Sequence, residues 1–234
     1  MNATDDFALT HTFARVAQRL VGHDDLDGLL GAVSALAVEV VDGCDDAAIS
    51  LLEHRRVTTR GATGELPRLV DLLQYDTGEG PCLSVLREEP VIVVDDIRSE
   101  QRWEAFRQAA TDLELRSMLS YRLQAGERLL GSLNLYARSP GAFRSNNGAA
   151  PVEVGAIFAA HASASILATQ RSANLAEALE TRSTISMAVG ILMARQGIGE
   201  SEAFDILKRA SQRTNVKLRD VARRLAEGAD DPPR

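Results

Sequence analysis

The segment Val152–Gln196 most restricts how this chain can fold, because its apolar residues recur at almost continuous helical spacing without a proline. A chain of 234 residues also exceeds the roughly 100–150 residues of a typical single domain. We therefore expect two domains joined by one long helix over residues 152–196. Strands and helices mix before this helix, whereas only helices follow it.

The residues before the long helix predict an α+β domain of mostly antiparallel strands. Short β-branched runs bounded by turn residues indicate strands, and apolar residues at helical spacing indicate helices. The continuously β-branched run Val91–Val94 is typical of a buried strand. The expected strands are Ala47–Leu52, Val57–Arg60, Val91–Val94, Ser117–Leu123 and Leu129–Tyr136. The expected helices are Phe7–Val21, Leu26–Val41, Leu66–Gln74, Cys82–Arg87 and Trp103–Leu113.

One side of the long helix carries residues spaced by four and three, as at the a and d positions of a coiled coil. Arg182 and Ser186 interrupt this seam. Two interpretations remain open: a coiled coil that forms a homodimer, and an amphipathic helix that packs on its own domain. The seam consists of Leu175, Leu179, Arg182, Ser186, Val189 and Met193.

The C-terminal helices Ile185–Arg195, Glu202–Arg213 and Leu218–Ala226 are expected to bury one small core. The spacing of Phe204 places its ring in that core. Gly190 lies within a helix, where glycine costs about 1 kcal/mol relative to alanine. We therefore expect a neighbouring helix or an RNA loop to approach its backbone.

Charge distinguishes the C-terminal helices from the rest of the chain. The net charge of the chain is −7, yet residues 204–225 hold seven basic side chains and only Asp205 and Asp220 as acids. Pairs of Asp205 with Arg209, and of Asp220 with Arg223 or Arg224, would neutralise only part of this excess. A local surplus of this size favours contact with nucleic acid.

Three segments of this region resemble the ANTAR domain: Thr181–Ala194, Glu202–Phe204 and Asn215–Ala222. The resemblance covers about residues 173–229 and implies the three-helix module of bacterial transcription antiterminators, which binds paired RNA stem-loops in nascent transcripts. Val189 replaces a lysine that many members carry, and Gly199 replaces a serine that often caps the second helix.

Arginine planes and polar groups near the turn between the last two helices are expected to contact RNA, because the only aromatic residue there is assigned to the core. An alternative is a DNA-binding regulator that uses the last two helices as a helix-turn-helix. The expected RNA contacts are Arg182, Arg195, Arg209, Arg213, Thr214, Asn215, Lys217, Arg219 and Arg223.

Four segments of the N-terminal part resemble a GAF domain of the actinobacterial sensor type. The resemblance implies an antiparallel sheet flanked by helices, with a pocket for a small-molecule signal, and the order GAF then ANTAR is that of signal-dependent antitermination regulators. We assign residues 1–170 to this domain with its N-terminal helix, 173–229 to the ANTAR domain and 230–234 to a disordered tail. The segments are Asp76–Cys82, Val91–Ile97, Arg102–Trp103 and Leu130–Tyr136.

The sequence leaves the signal and any cofactor unknown, and a small molecule or a protein would both fit a sensor. Cys82 and Trp103 are the candidate pocket residues. Cys82 follows a helix-starting Gly-Pro, so both a redox-sensing thiol with a lowered pKa and a small buried residue remain open. Asp95 and Asp96 suit turn and cap positions. No catalytic or metal-binding motif is present, so we expect no enzyme activity and no metal.

We expect a cytoplasmic protein with no membrane contact. No stretch approaches the roughly 18–20 uncharged apolar residues of a membrane span. The acidic start Met1–Asp6 also lacks the pattern of a signal peptide.

Overall fold

The computed structural model describes residues 16, 18–20, 22–23, 25–53, 56–144 and 151–228. The chain divides into two compact units, residues 1–170 and 171–234. Most of the helix expected over Phe7–Val21, and the tail expected over 230–234, lie outside the described residues. Val16 and Leu20, the described apolar residues of that helix, are helical and buried.

The N-terminal unit is built on a five-stranded antiparallel sheet with the strand order β2-β1-β5-β4-β3. Val91–Val94 pairs with β4 alone, so it is an edge strand. Only Ile92 and Val94 are fully buried there, which corrects the expectation of a buried strand. The strands are β1 (Asp46–Glu53), β2 (Arg56–Arg60), β3 (Val91–Val94), β4 (Ser117–Ala125) and β5 (Arg128–Ala137).

Seven α-helices are described, four of them before β4 and three after β5. They start and end near the expected residues, since the apolar spacing and the flanking glycines already marked them. Asp25 caps the first helix by accepting a hydrogen bond from the Gly28 N–H at 2.7 Å. The helices are α1 (Leu26–Val40), α2 (Glu65–Thr77), α3 (Pro81–Arg87), α4 (Glu104–Ala110), α5 (Pro151–Gln196), α6 (Glu200–Thr214) and α7 (Leu218–Ala226).

The two faces of the sheet pack against different helices because successive strand residues point to opposite sides. On the first face, Ile49 and Tyr121 belong to a core with Leu29 of α1 and Phe158 of α5. The second face forms a separate core with side chains of α2, α3 and α4. Its apolar members include Val70, Val85, Phe106 and Tyr136.

Helix α5 contains an 18-residue window with a mean hydropathy of 1.4, so by length and composition alone it could cross a membrane. This corrects the expectation that no stretch would approach that limit. A third of the window is buried in the protein, and its buried residues include Phe158, Ala162 and Ile166 of the first core. A helix that packs on a sheet inside a protein can therefore have the length and hydropathy of a membrane span.

The C-terminal unit is a three-helix bundle formed by the end of α5 with α6 and α7. Gly199 occupies the N-cap of α6, and Asn215 ends that helix in the left-handed conformation with φ of 52°. Asparagine is one of the few non-glycine residues that tolerate this conformation, which explains the expected turn. The core of the bundle consists of Ala188, Val189, Leu192, Ala203, Leu207, Ala222 and Leu225.

Candidate functional site

The basic side chains of α6, α7 and the turn between them form a surface on the bundle, which we call the basic surface. Four of its expected RNA contacts are exposed: Arg209, Arg213, Lys217 and Arg223. Helical spacing explains their grouping, since residues four apart lie on one side of a helix. The basic surface comprises Lys208, Arg209, Arg213, Lys217, Arg219, Arg223 and Arg224.

Acidic side chains neutralise only one part of the basic surface. Arg219 forms an ion pair with Glu177 of α5, and Arg223 lies 3.6 Å from Asp220. The expected pair of Asp220 with Arg223 is therefore confirmed. Within the described part of the chain, Arg209 forms no ion pair with Asp205. Arg219 thus holds α7 against α5, whereas Arg209 remains available to an external phosphate.

The turn between α6 and α7 is held by its own hydrogen bonds. The Thr214 hydroxyl donates to the Ala210 carbonyl at 2.8 Å, and the Ser211 hydroxyl donates to the Val216 carbonyl at 2.6 Å. Asn215 and Lys217 are exposed beside it. The structure therefore uses the Thr214 proton internally and leaves the side chains of Asn215 and Lys217 facing solvent.

A groove of about 1240 Å³ lies between α5 and α6, and we call it the α5–α6 groove. Phe204 borders it and is 41% exposed, so the prediction of a core position was wrong. The buried stripe of α6 is Ala203, Leu207 and Ala210, and Phe204 lies one residue beyond it. Its lining includes Glu177, Thr181, Arg182, Ser186, Val189, Gly190, Met193, Glu200 and Phe204.

Gly190 also departs from expectation. No heavy atom of the described residues would lie within 4 Å of a Cβ placed there, so neither α6 nor α7 packs against that backbone. The residue is exposed and lines the α5–α6 groove. The packing expected from a neighbouring helix is therefore absent from the described bundle.

The predicted seam of α5 divides into two parts. Val189 is only 7% exposed and belongs to the bundle core, so packing on its own domain explains that position. Leu175 and Leu179 are 62% and 59% exposed, and every residue from 171 to 180 is exposed. Arg182, also exposed, lies between the two parts. Arg195 is exposed at the end of α5.

A buried carboxyl group occupies the second face of the sheet in the N-terminal unit. Asp71 of α2 is fully buried, and its Oδ1 accepts hydrogen bonds from the Tyr136 hydroxyl at 2.5 Å and the Gln74 amide at 3.2 Å. Its Oδ2 accepts from the hydroxyls of Ser50 at 3.1 Å and Thr59 at 2.9 Å. Burial raises the pKa of Asp71 to about 6, although these hydrogen bonds oppose the rise.

The hydrogen-bond network around Asp71 continues across the strands. The Asn134 amide donates to Ser50 Oγ at 2.9 Å, and Asn134 lies opposite Ser120 in the sheet register. Three buried oxygens of this face have no hydrogen-bond partner among the described residues: Asn134 Oδ1, Ser120 Oγ and Ser132 Oγ. Unsatisfied buried polar atoms are uncommon, and all three of these lie on the face of the sheet that holds Asp71.

Cys82 and Trp103 lie beside this network. Burial, together with the negative charge of Asp71, raises the pKa of the Cys82 thiol well above its usual value. The expectation of a lowered pKa is therefore wrong, and Cys82 is a small buried residue. The Cys82 N–H donates to Gln74 Oε1 at 2.9 Å. Trp103 Nε1 donates to Ser84 Oγ at 3.0 Å, while the Arg102 guanidinium covers the Trp103 ring at 4.4 Å.

The remaining acidic candidates have structural roles. Arg144 binds Asp95 at 2.7 Å and lowers the pKa of its carboxyl. Asp96 caps the short 3-10 helix Ile97–Ser99 and pairs with Arg98, which lowers its pKa. The described residues contain no group of three or more histidine, cysteine or acidic side chains arranged to hold a metal.

Comparison with known proteins agrees with both units. The family model of the GAF domain matches residues 23–166, and that of the ANTAR domain matches residues 173–225. No curated protein matches the sequence. The predicted order of the two domains is thus confirmed.

Similar solved structures support the fold of the first unit. The GAF domain of an Acinetobacter phosphoenolpyruvate-protein phosphotransferase is 17% identical, with a TM-score of 0.55 over 74% of this chain and 99% of that chain. Free methionine-R-sulfoxide reductase from Neisseria meningitidis, in complex with its substrate, is 14% identical, with a TM-score of 0.55 over 74% of this chain and 95% of that chain. At such identities the likeness concerns the fold.

Proposed function

Because this chain belongs to the GAF domain family and carries an ANTAR domain after its GAF domain, we propose that it is a signal-responsive RNA-binding transcription antiterminator. It binds paired stem-loops of nascent transcripts and acts by binding, without catalysis. The observation that carries the proposal is the basic surface, which lies on the bundle that the ANTAR model matches. The setting for this activity is the cytoplasm.

Hairpin loops suit this surface better than duplex RNA does. Side chains cannot enter the narrow major groove of A-form RNA, whereas loop bases are accessible. Arg209 and Lys217 offer exposed cations to the phosphates. The exposed side chain of Asn215 offers both a donor and an acceptor to a base edge.

A homodimer would let one molecule engage both hairpins of a pair. Leu175 and Leu179, the two most exposed apolar residues of the α5 seam, support such a contact. Two linked bundles bind two linked hairpins with a high effective concentration for the second event. A signal that favours one arrangement of the seam would then change how two basic surfaces are presented.

The polar face around Asp71 supports a sensor that recognises a small polar molecule. Its three unsatisfied oxygens belong to Ser120, Ser132 and Asn134. Cys82 and Trp103, both buried on the same side of the sheet, would border this molecule.

A DNA-binding regulator is the second candidate, because α6 and α7 flank a short turn as in a helix-turn-helix. The discriminating experiment is binding of the full chain to a paired-hairpin RNA, a loop-scrambled RNA and a duplex DNA over a salt series. We expect loop-dependent RNA binding that weakens with salt, because cations released from phosphates drive association.

Variants sharpen this experiment. Arg209→Ala and Lys217→Ala should each weaken hairpin binding and reduce the salt slope by about 1. Arg128→Ala, an exposed arginine of β5 in the other unit, is the matched control and should bind as the wild type does. A preference for duplex DNA would favour the second candidate, and equal weak binding to all three probes would contradict both.

A further inference from the structure

We propose that the α5–α6 groove receives one unpaired base of the RNA loop, which stacks on Phe204 and lies against the exposed backbone at Gly190. This inference rests on the proposed function, which it deepens by naming a base-binding site that adds Phe204 and the Gly190 backbone to the expected arginine and turn contacts. Exposure of a phenylalanine beside an open stretch of helix is the observation that leads to it.

Gly190 provides the first argument. Glycine is a poor helix former, and no described atom lies close enough to its Cα to require the absence of a side chain. A glycine on a helix permits close approach of another molecule to the backbone. An occupant that enters the α5–α6 groove from outside the chain accounts for this residue, whereas the packing of the bundle does not.

Phe204 provides the second argument. Its ring is 41% exposed on the opposite wall of the same groove. A large exposed aromatic side chain is a usual stacking partner for single-stranded bases, because every base has an apolar face. The ring and the glycine backbone therefore form two walls for one flat group.

The polar residues of the groove suit the edges of a base. Ser186 and Thr181 line the groove with hydroxyl groups that donate and accept hydrogen bonds. Arg182 contributes donors, and Glu200 contributes a carboxylate acceptor for an exocyclic amino group. An apolar peptide would leave these groups without partners.

The charge around the groove is compatible with an attached phosphate backbone. The carboxylate of Glu177, which also lines the groove, is paired with Arg219 of the basic surface. Lys208 lies one helical turn after Phe204 on α6 and is exposed. A base in the groove therefore keeps its flanking phosphates next to the basic surface.

A second copy of the chain is the competing occupant, and the same residues argue against it. A coiled-coil seam needs apolar side chains at its a and d positions, but Arg182 and Ser186 occupy two of them where the groove lies. Val189 is already buried in its own bundle. The most exposed apolar residues of the seam, Leu175 and Leu179, precede Arg182, and Met193 at the other end is 36% exposed, so no continuous apolar seam crosses the groove.

The test measures binding of the full chain to the paired-hairpin RNA and to versions with one loop nucleotide made abasic. We expect Phe204→Ala to weaken binding of the intact hairpin by at least about fivefold, as loss of one stacked base predicts. Its salt slope should stay that of the wild type, since no cation is lost. Phe204→Trp should retain binding.

A Cβ at Gly190 meets no atom of the described residues within 4 Å, so Gly190→Leu extends a side chain into the groove and should weaken binding by at least a similar factor. Gly31→Leu is its matched control, because a Cβ at Gly31 of α1 also meets no atom within 4 Å. One abasic position should reduce wild-type binding to the level of Phe204→Ala, and it should have no further effect on that variant.

Each outcome decides the inference. If Phe204→Ala and Gly190→Leu bind the hairpin as the wild type does, the groove holds no base, although the chain still binds RNA. If Gly190→Leu converts a dimer to a monomer in sedimentation while each monomer still binds a single hairpin, a second copy occupies the groove. If the wild type binds no hairpin at all, the proposed function fails and this inference fails with it.

Discussion

The two units of this protein place their polar groups in opposite ways. In the N-terminal unit, Asp71 and its partners lie buried between a sheet and helices. In the C-terminal unit, seven apolar residues form the core and the basic side chains lie outside it. A buried polar group costs free energy unless it is hydrogen-bonded. This contrast fits the proposed roles of the two units, which are recognition of a small enclosed molecule by the first and contact with a large charged one by the second.

Helix α5 shows the same contrast within one element. Gly155, in its N-terminal part, lies against the hydroxyl of Tyr121, which donates to the Val152 carbonyl at 2.8 Å. A Cβ placed at Gly190, in its C-terminal part, would meet no heavy atom of the described residues within 4 Å. One glycine is thus required by packing inside the protein, and the other faces the α5–α6 groove. Four substitutions test how far this difference extends.

The largest effect is expected for Leu207→Ala, which removes a fully buried side chain from the small core of the C-terminal unit. Such truncations cost about 2–5 kcal/mol of unfolding free energy, a large part of what a bundle this small can have. Circular dichroism during heating should show helix loss at lower temperature, with the GAF unit melting as before. Met187→Ala, at a position 55% exposed, is the control and should melt like the wild type. Simultaneous loss of both units would show that they do not fold independently.

A comparable effect should appear in the pH dependence of the N-terminal unit. The pKa of Asp71 is about 6 in the folded protein and 3.8 in the unfolded chain, so the folded state binds the proton more tightly. The resulting stabilisation is complete below pH 3.8 and is lost as pH rises through 6, a change of about 3 kcal/mol.

Asp71→Asn tests this dependence because the amide cannot ionise. Relative to the wild type, its free energy of unfolding should increase between pH 4 and pH 7, as measured by urea denaturation. The carboxyl groups of Asp95 and Asp96, which have lowered pKa values, remain in both proteins and cancel in the difference. A difference that is independent of pH would show that Asp71 does not titrate in this range.

The smallest effects should come from alanine at the two glycines of α5. Gly155→Ala forces a methyl group into the buried hydroxyl of Tyr121 and should cost about 1–3 kcal/mol. Gly190→Ala meets no atom of the described residues within 4 Å and should stabilise the C-terminal unit by up to about 1 kcal/mol through its helix propensity. Thermal melts of the two variants should shift in opposite directions. Destabilisation by Gly190→Ala would mean that a contact restricts this position in the free protein.

Local patterns were sufficient to predict most helices and strands. The apolar spacing around Leu207 and Leu225 identified the bundle and its core, and charge spacing identified Arg209 and Lys217 as exposed cations. Phe204 was misplaced because it lies one residue beyond the buried stripe of α6. Helical spacing leaves an uncertainty of one residue at the edge of a stripe, and the position of α5 decides which side is covered.

The network around Asp71 could not be predicted in the same way. Its partners Ser50, Thr59 and Tyr136 lie on three different strands. They come together only because the sheet places β2, β1 and β5 next to one another. A carboxylate on an amphipathic helix normally indicates the side that faces solvent, but the carboxylate of Asp71 is buried. A signal was present in Ser120, Ser132 and Asn134, polar residues within otherwise apolar strands, but the sequence does not tell which face they share.

The sequence by itself determined the two domains, the long helix between them and the basic charge of the last two helices, because each depends on residues close together along the chain. Only the tertiary structure decided which polar groups are buried with Asp71, that Cys82 is inaccessible, and that Phe204 and Gly190 border one groove. These features depend on contacts between distant segments. The pKa values of these groups depend on their burial and on their hydrogen-bond partners. Both are set by the whole fold and not by neighbouring residues in the sequence.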